Sequence, residues 1–187
     1  MIPPFQHDGL LPPGDYEVSF DELRVSILAN GDQATAGSWD TAWRTLLIDN
    51  FEVLTKQLWK VGIREIYADG SFVEDKDHPN DIDGYFVCDL HDLASGSLTE
   101  RLNLLDPYKI WTWDPASRKP HRGYPKKQLP MWHRYRIELY PHVPGLGMTS
   151  GIRDKHGHKL GFPSAFRLSR RDGRPRGIVK FRYGGES

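Results

Sequence analysis

Between Ser38 and Val61 the apolar residues recur at spacings of three and four: Trp39, Trp43, Leu46, Leu47, Phe51, Leu54 and Leu58. That period predicts one long helix with a broad apolar face. Ser38 is placed to cap its start and Gly62 to end it. The aromatic stripe is read as core and not as a stacking platform for bases. A face this wide needs another layer to cover it. Two strand-length segments follow, Ile63 to Ala68 and Asp81 to Asp89.

Between those segments lies Gly70 to Gly84, which reads Gly-Ser-Phe-Val-Glu-Asp-Lys-Asp-His-Pro-Asn-Asp-Ile-Asp-Gly. A Gly-Ser pair closes the first strand. A loop from Phe72 to Asn80 separates it from Asp81. Asp81 and Asp83 sit two apart at the head of the second strand, so both carboxylates point to one face. Like charges this close raise each other's pKa unless a cation lies between them. Oxygen ligands beside a glycine turn suit a hard divalent ion such as Mg²⁺.

The other elements follow in order. Residues 1–37 read as an irregular Pro- and Gly-rich arm, laid on the surface through Phe5, Leu10 and Leu11, with a short helix from Phe20 to Ala29 capped by Ser19. Leu93 to Leu105 reads as a helix. Asp106 to Pro130 reads as a long loop with a basic cluster, Arg118-Lys119-Pro120-His121-Arg122, and a loop of that length in a compact domain points to function. Arg134 to Tyr140 reads as a third strand and Gly177 to Phe181 as a last one. The 187 residues suffice for one domain with a real core, divided as arm, core (38–140) and a basic C-terminal extension (141–187). No apolar run approaches the roughly 20 residues of a membrane span, and the N-terminus lacks the pattern of a signal peptide. The lone Cys88 forms no internal disulfide and reads as a buried, inert thiol. These features point to a cytoplasmic protein with no membrane partner.

Formal net charge is zero, but it is divided unevenly. Residues 118–187 hold 17 Lys or Arg against four Asp or Glu, whereas residues 1–117 hold eight against 21. Such a split fits a phosphate-rich partner, or neutralisation of one part by the other across the fold.

A third acid is expected from a neighbouring strand. Asp89 has the right parity but lies six residues past Asp83, roughly 20 Å along a strand. Glu138, between Ile137 and Leu139, is the better candidate, expected on the outward face of its strand; Asp114 is the reserve. Gly70-Ser71, the nine-residue gap, Asp81-Ile82-Asp83 and then Glu138 resemble the DNA polymerase β-type nucleotidyltransferase superfamily, in its minimal members. The opening Ile2-Pro3-Pro4-Phe5 with Gly9 to Gly14, the phrase Asp69 to Val73 and the closing Gly173 to Val179 also look like an uncharacterised bacterial family of that fold.

The resemblance implies an α/β (α+β) fold with a mixed β-sheet flanked by helices. It also implies Mg²⁺, or Mn²⁺ in its place, and transfer of a nucleoside monophosphate from an NTP to a hydroxyl of a protein or RNA acceptor. Asp81, Asp83 and Glu138 would then hold metal and carry catalysis, with Glu138 activating the hydroxyl. Gly70, Ser71 and Lys76 would bind the triphosphate. Two departures stand out. Phe72 follows Gly-Ser where minimal members place an Arg, in a loop made acidic by Glu74, Asp75 and Asp77. Gly84 stands where an apolar residue is usual. Counter-charge must come from Lys76 or from the basic C-terminal part. The alternative is a catalytically degenerate binding module with a cognate partner protein, such as a toxin–antitoxin or phage-defence component. A metal-dependent nuclease shares the paired acids but leaves the Gly-Ser pair without a role. His156-Gly157-His158 lacks the further ligands of a zinc site. His133 and His142 bracket the Glu138 strand, and Arg167, Arg170, Arg171, Arg174 and Arg176 either grip phosphate or line a solvated edge.

Overall fold

In this computed structural model the long helix is α3, Thr41–Lys60. The structure describes residues 1–31, 38–147, 149–154, 156–161 and 163–184. Asp40 caps α3 in place of Ser38, its carboxylate accepting the Trp43 N–H at 3.0 Å. Trp39 precedes the helix and is buried, whereas Leu46 stays on the exposed side. The core side of α3 is Leu47, Ile48, Phe51, Leu54 and Leu58. The expected Phe20 to Ala29 helix is two short ones, α1 (Phe20–Arg24) and α2 (Ile27–Asn30). Ser19 and Glu22 form a capping box on the first, and Ser26 interrupts the run to cap the second.

Five strands make one mixed sheet, in the order β1 (Asp15–Val18), β7 (Ile178–Phe181), β2 (Ile66–Asp69), β3 (Ile82–Val87) and β4 (Ile137–His142). β1 runs parallel to β7 and β3 parallel to β4, while β2 is antiparallel to both its neighbours. The sheet with its flanking helices is the expected α/β architecture. The division into arm, core and extension is corrected: β1 comes from the arm, β7 comes from the C-terminal part, and β7 sits between β1 and β2. Central strands must be apolar on both faces, and the alternation of Ile178, Val179 and Phe181 satisfies that.

Period-two alternation gives the sheet two different faces. Ile66, Ala68, Ile82, Phe86, Ile137, Leu139, Val179 and Phe181 join α1 to α3 and α5 (Ser97–Leu105) in the main core. Tyr67, Tyr85 and Ile178 point the other way and pack with Phe166 in a smaller cluster. The other helices are α4 (Leu90–Ala94) and α6 (Pro130–Tyr135). α6 corrects the expected Arg134 to Tyr140 strand. Pro130 opens the helix, Arg134 lies within it, and Arg136 ends it with a left-handed φ of 57° before β4 begins at Ile137. A two-stranded ribbon, β5 (Thr149–Arg153) and β6 (Lys159–Gly161), completes the described elements. Among the described residues no helix is long and apolar enough to cross a membrane.

Candidate functional site

The second face of the sheet carries a row of acids. Asp69 on β2 pairs in register with Asp83 on β3, and Asp83 pairs in register with Glu138 on β4. Neighbouring strands lie about 4.8 Å apart, so the three carboxylates cross three strands side by side. Asp81 stands one residue before β3. Burial raises the pKa of both Asp81 and Asp83, and repulsion adds to it, from Asp81 on Asp83 and from Glu138 on Asp81. The three expected acids are therefore gathered in one place. Asp69 joins them unforeseen, because its parity with Asp83 follows from strand pairing and not from spacing.

The acids differ in what neutralises them. Asp69 is buried, and Arg176 pairs with it at 2.8 Å and also pairs with Glu74. Burial pushes the Asp69 pKa up while Arg176 pulls it down. Glu138 lies on the face opposite Ile137 and Leu139, as expected, and is buried there. Its Oε1 accepts the Leu129 N–H at 3.1 Å and an Arg118 N–H at 3.2 Å, and its Oε2 accepts the Tyr140 hydroxyl. Asp81 and Asp83 form no direct ion pair among the described residues. Asp81 Oδ2 accepts the Trp132 indole N–H at 2.7 Å. Burial raises the pKa of both, that of Asp83 to about 7. Two half-buried acids without a cation are the costly arrangement here, relieved by a shared proton or by a metal.

Gly70 sets the approach of β2 to this pair. It has a φ of +77°, and a Cβ there would stand 2.6 Å from Asp83 Oδ2. The turn Gly70–Val73 is a single 3-10 turn, and Ser71 Oγ makes no hydrogen bond to a described residue. Gly84 has its own steric reason: a Cβ on it would meet the Tyr67 carbonyl oxygen at 2.3 Å, so the usual apolar residue has no room.

The loop from Glu74 to Asn80 is tied to α3. Arg44, fully buried, donates to the carbonyls of Leu28, Phe72, Glu74 and Lys76 and stacks over Trp39 at 3.9 Å. Burial pushes the Arg44 pKa down to about 9, which leaves it charged at neutral pH. His78 stacks on Trp43 and meets Asp40 at 2.8 Å. Lys76, the expected phosphate cation, is exposed and acts on Asp81 only at a distance. The C-terminal arginines are better placed: Arg176 reaches the Gly70 carbonyl at 3.1 Å, and Arg171 lies 3.5 Å from Glu74. Arg170 is exposed, has no direct ion pair among the described residues, and lowers the pKa of Asp69, Asp81 and Asp83.

Other candidates lie outside this cluster. Asp114 caps its own turn at Ala116, and Asp89 caps α4. The backbone N–H groups of His156 and His158 are held by the Asp154 carboxylate. Cys88 is buried, and burial pushes its thiol up to about 11, as an inert thiol requires. His142 ends β4 with its pKa lowered by burial. Among the described residues no group of three or more His, Cys, Asp or Glu side chains is placed to hold a metal ion. The donor chemistry fits a divalent ion at Asp81 and Asp83, and Glu138 is turned toward Arg118 and Tyr140. A cleft of about 650 Å³ between Phe20, Glu52, Trp59 and Tyr183 lies on the helix side, away from the acids.

Residues 3–182 match a family of unknown function, DUF6932. The chain belongs to that family. No curated protein and no solved structure matches it. The family match spans both ends of the chain, in keeping with a sheet that needs β1 and β7 together. In this DUF6932 protein the acid row, the Gly70 turn and the arginines around them all fall inside the matched span.

Proposed function

We propose that this protein transfers a nucleoside monophosphate from an NTP to a hydroxyl group, with Mg²⁺ or Mn²⁺ held by Asp81 and Asp83. The carrying observation is that these two acids are gathered, half-buried and without an ion pair, while the acids on either side each have an arginine. The metal supplies charge neutralisation of the triphosphate and polarisation of its α-phosphate. Asp81 and Asp83 hold that charge at the head of β3. Ser71 offers a free hydroxyl at the turn. Arg170 supplies the phosphate-gripping cation that the Phe72 position lacks, so the counter-charge comes from the C-terminal part.

The hydroxyl oxygen bonds to the α-phosphorus, the bond from that phosphorus to the β-phosphate oxygen breaks, and pyrophosphate leaves. Glu138 takes the hydroxyl proton. An ionised carboxylate has about four acceptor positions. Leu129, Arg118 and Tyr140 use three of them, which leaves one for the acceptor. Protein and RNA hydroxyls both fit this chemistry.

Incubation with each NTP labelled at the α-phosphate, against total RNA and lysate protein, tests the reading. Label enters an acceptor from the α-labelled and not the γ-labelled NTP, and Asp81→Asn with Asp83→Asn abolishes it. Unchanged labelling in that double variant sinks the proposal. The same three bonds to Glu138 favour a second reading, a non-catalytic nucleotide-binding module paired with another protein as in a toxin–antitoxin or defence system. There, calorimetry detects metal-dependent NTP binding while no acceptor is ever labelled.

A further inference from the structure

The charge split resolves into two different populations of cations. The C-terminal arginines serve the fold: Arg167 pairs with Asp15, Arg171 with Glu74, Arg174 with Asp8, Arg176 with Asp69 and Arg182 with Glu22. The segment from Ala116 to Ile137 is different. It contains seven Lys or Arg and no acid. Arg118 pairs with Glu138, while Arg134 and Arg136 lie over the rings of Tyr108 and Trp132 at 4.0 Å. Lys119, Arg122, Lys126 and Lys127 are exposed and have no ion pair among the described residues. Four such charges in nine residues repel one another, and no described residue forms an ion pair with them.

The segment is nevertheless held in shape. Lys119 and Gln128 exchange backbone hydrogen bonds at 2.9 and 2.8 Å, Arg118 donates to the Lys127 carbonyl at 3.0 Å, and the His133 ring meets the Lys119 carbonyl at 3.1 Å. A preformed charged loop loses less freedom on binding. It also carries rings. His121 and Tyr124 are half-exposed and lie edge-on to Trp132, with centroids 5.0 and 4.8 Å away. Trp132 in turn holds Asp81. Arg176 pairs with Asp69 on β2, whereas this loop borders β4 through the Arg118–Glu138 pair, so the acids have arginine on both sides.

We propose that the loop from Arg118 to Lys127 binds a single-stranded polynucleotide and delivers it along the Glu138 side of the acid pair. Repeated phosphates meet the four unpaired cations, and unstacked bases meet the His121 and Tyr124 rings, the combination that single-strand binders use. A duplex hides its base faces from those rings, and an acidic polypeptide has nothing to stack on them. That this strand is the acceptor rests on the transferase reading; the binding does not.

The test uses the full chain and a short fluorescein-labelled single-stranded oligonucleotide, in RNA and DNA forms, followed by anisotropy over a range of salt. Binding of either form bears the proposal out, and the ratio of the two affinities identifies the sugar. The Arg122→Glu, Lys126→Glu, Lys127→Glu variant binds at least about tenfold more weakly, with a salt slope shallower by about 2, since each phosphate contact in a single strand contributes about 0.7. If the charge reversal lowers the melting temperature, the Gln versions of the same three substitutions carry the measurement. Unchanged affinity in the variant that is folded overturns the proposal, as does equal competition by the matching duplex or by polyglutamate. Asp81→Asn with Asp83→Asn keeps the binding. Strand binding without any nucleotidyl transfer overturns the transferase reading and leaves this one standing; transfer without strand binding does the reverse.

Discussion

Asp83 and Gly70 face each other across β2 and β3 so closely that the carboxylate occupies the space a side chain at residue 70 would need. The glycine turn and the acid pair are thus one steric unit, although 13 positions separate them in the sequence. Gly70→Ala both strains a left-handed backbone, at roughly 1–2 kcal/mol, and displaces Asp83. The expected result is a melting temperature several degrees lower together with Mn²⁺ affinity reduced at least about tenfold by calorimetry. A variant that loses stability but binds Mn²⁺ normally counts against the shared site.

The raised pKa of Asp83 sets a pH dependence. Its ordinary value is 3.8 and burial beside Asp81 lifts it to about 7. The native state therefore holds this proton where the unfolded chain has released it. Stability from this group is complete below about pH 4 and falls as pH rises toward 7. Asp83→Asn removes that fall, on the order of 2–4 kcal/mol at pH 8 in metal-free buffer. Melting curves from pH 4 to 8 check it, the variant showing the flatter profile.

A divalent ion competes with that proton. At pH 6, titration of the protein with Mn²⁺ releases protons, seen as a binding heat that changes with the ionisation enthalpy of the buffer. The melting temperature rises on saturation, and Asp81→Asn with Asp83→Asn removes both effects. Heat that is the same in every buffer argues against metal at the raised-pKa acids.

Arg176 is a buried ion-pair partner, so its removal strands Asp69 and Glu74. Arg176→Met costs about 3–5 kcal/mol, a drop of roughly 10 °C for a chain of this size. Adding Asp69→Asn recovers part of it, because the orphaned charge goes with its partner. A double-mutant cycle in urea measures the recovery, and additive losses contradict the pairing.

Arg44→Met removes four hydrogen bonds to carbonyls of α2 and the loop after Gly70. Stability falls by on the order of 3 kcal/mol. The loop from Glu74 to Asn80 becomes the first site of limited proteolysis. Unchanged cleavage there would show that Asp40 and Trp43 hold it without Arg44.

Local patterns were legible where the physics is local. The three-and-four spacing of α3 and the two-residue spacing of Asp81 and Asp83 both follow from the geometry of one element. Glu138 was found by parity, but its burial was not, since Arg118 and Tyr140 reach it from other segments. Arg134 and Tyr135 read as strand because the helix that holds them is only six residues long, although Pro130 marks its start. Asp69 and the places of β1 and β7 depend on which strands pair, and no spacing along the chain encodes that.

β7 enters the sheet between two strands that are made long before it. During synthesis β2, β3 and β4 exist as a fragment with one edge waiting, and Arg176, the cation for Asp69, has yet to emerge. The acids thus reach their final surroundings only when the segment around residue 178 docks, so nascent chains halted short of it hold the acid-bearing strands without the cation that settles them. The site is complete only when a segment more than 35 residues past the last acid-bearing strand has joined the sheet, and not with the acid-bearing strands alone.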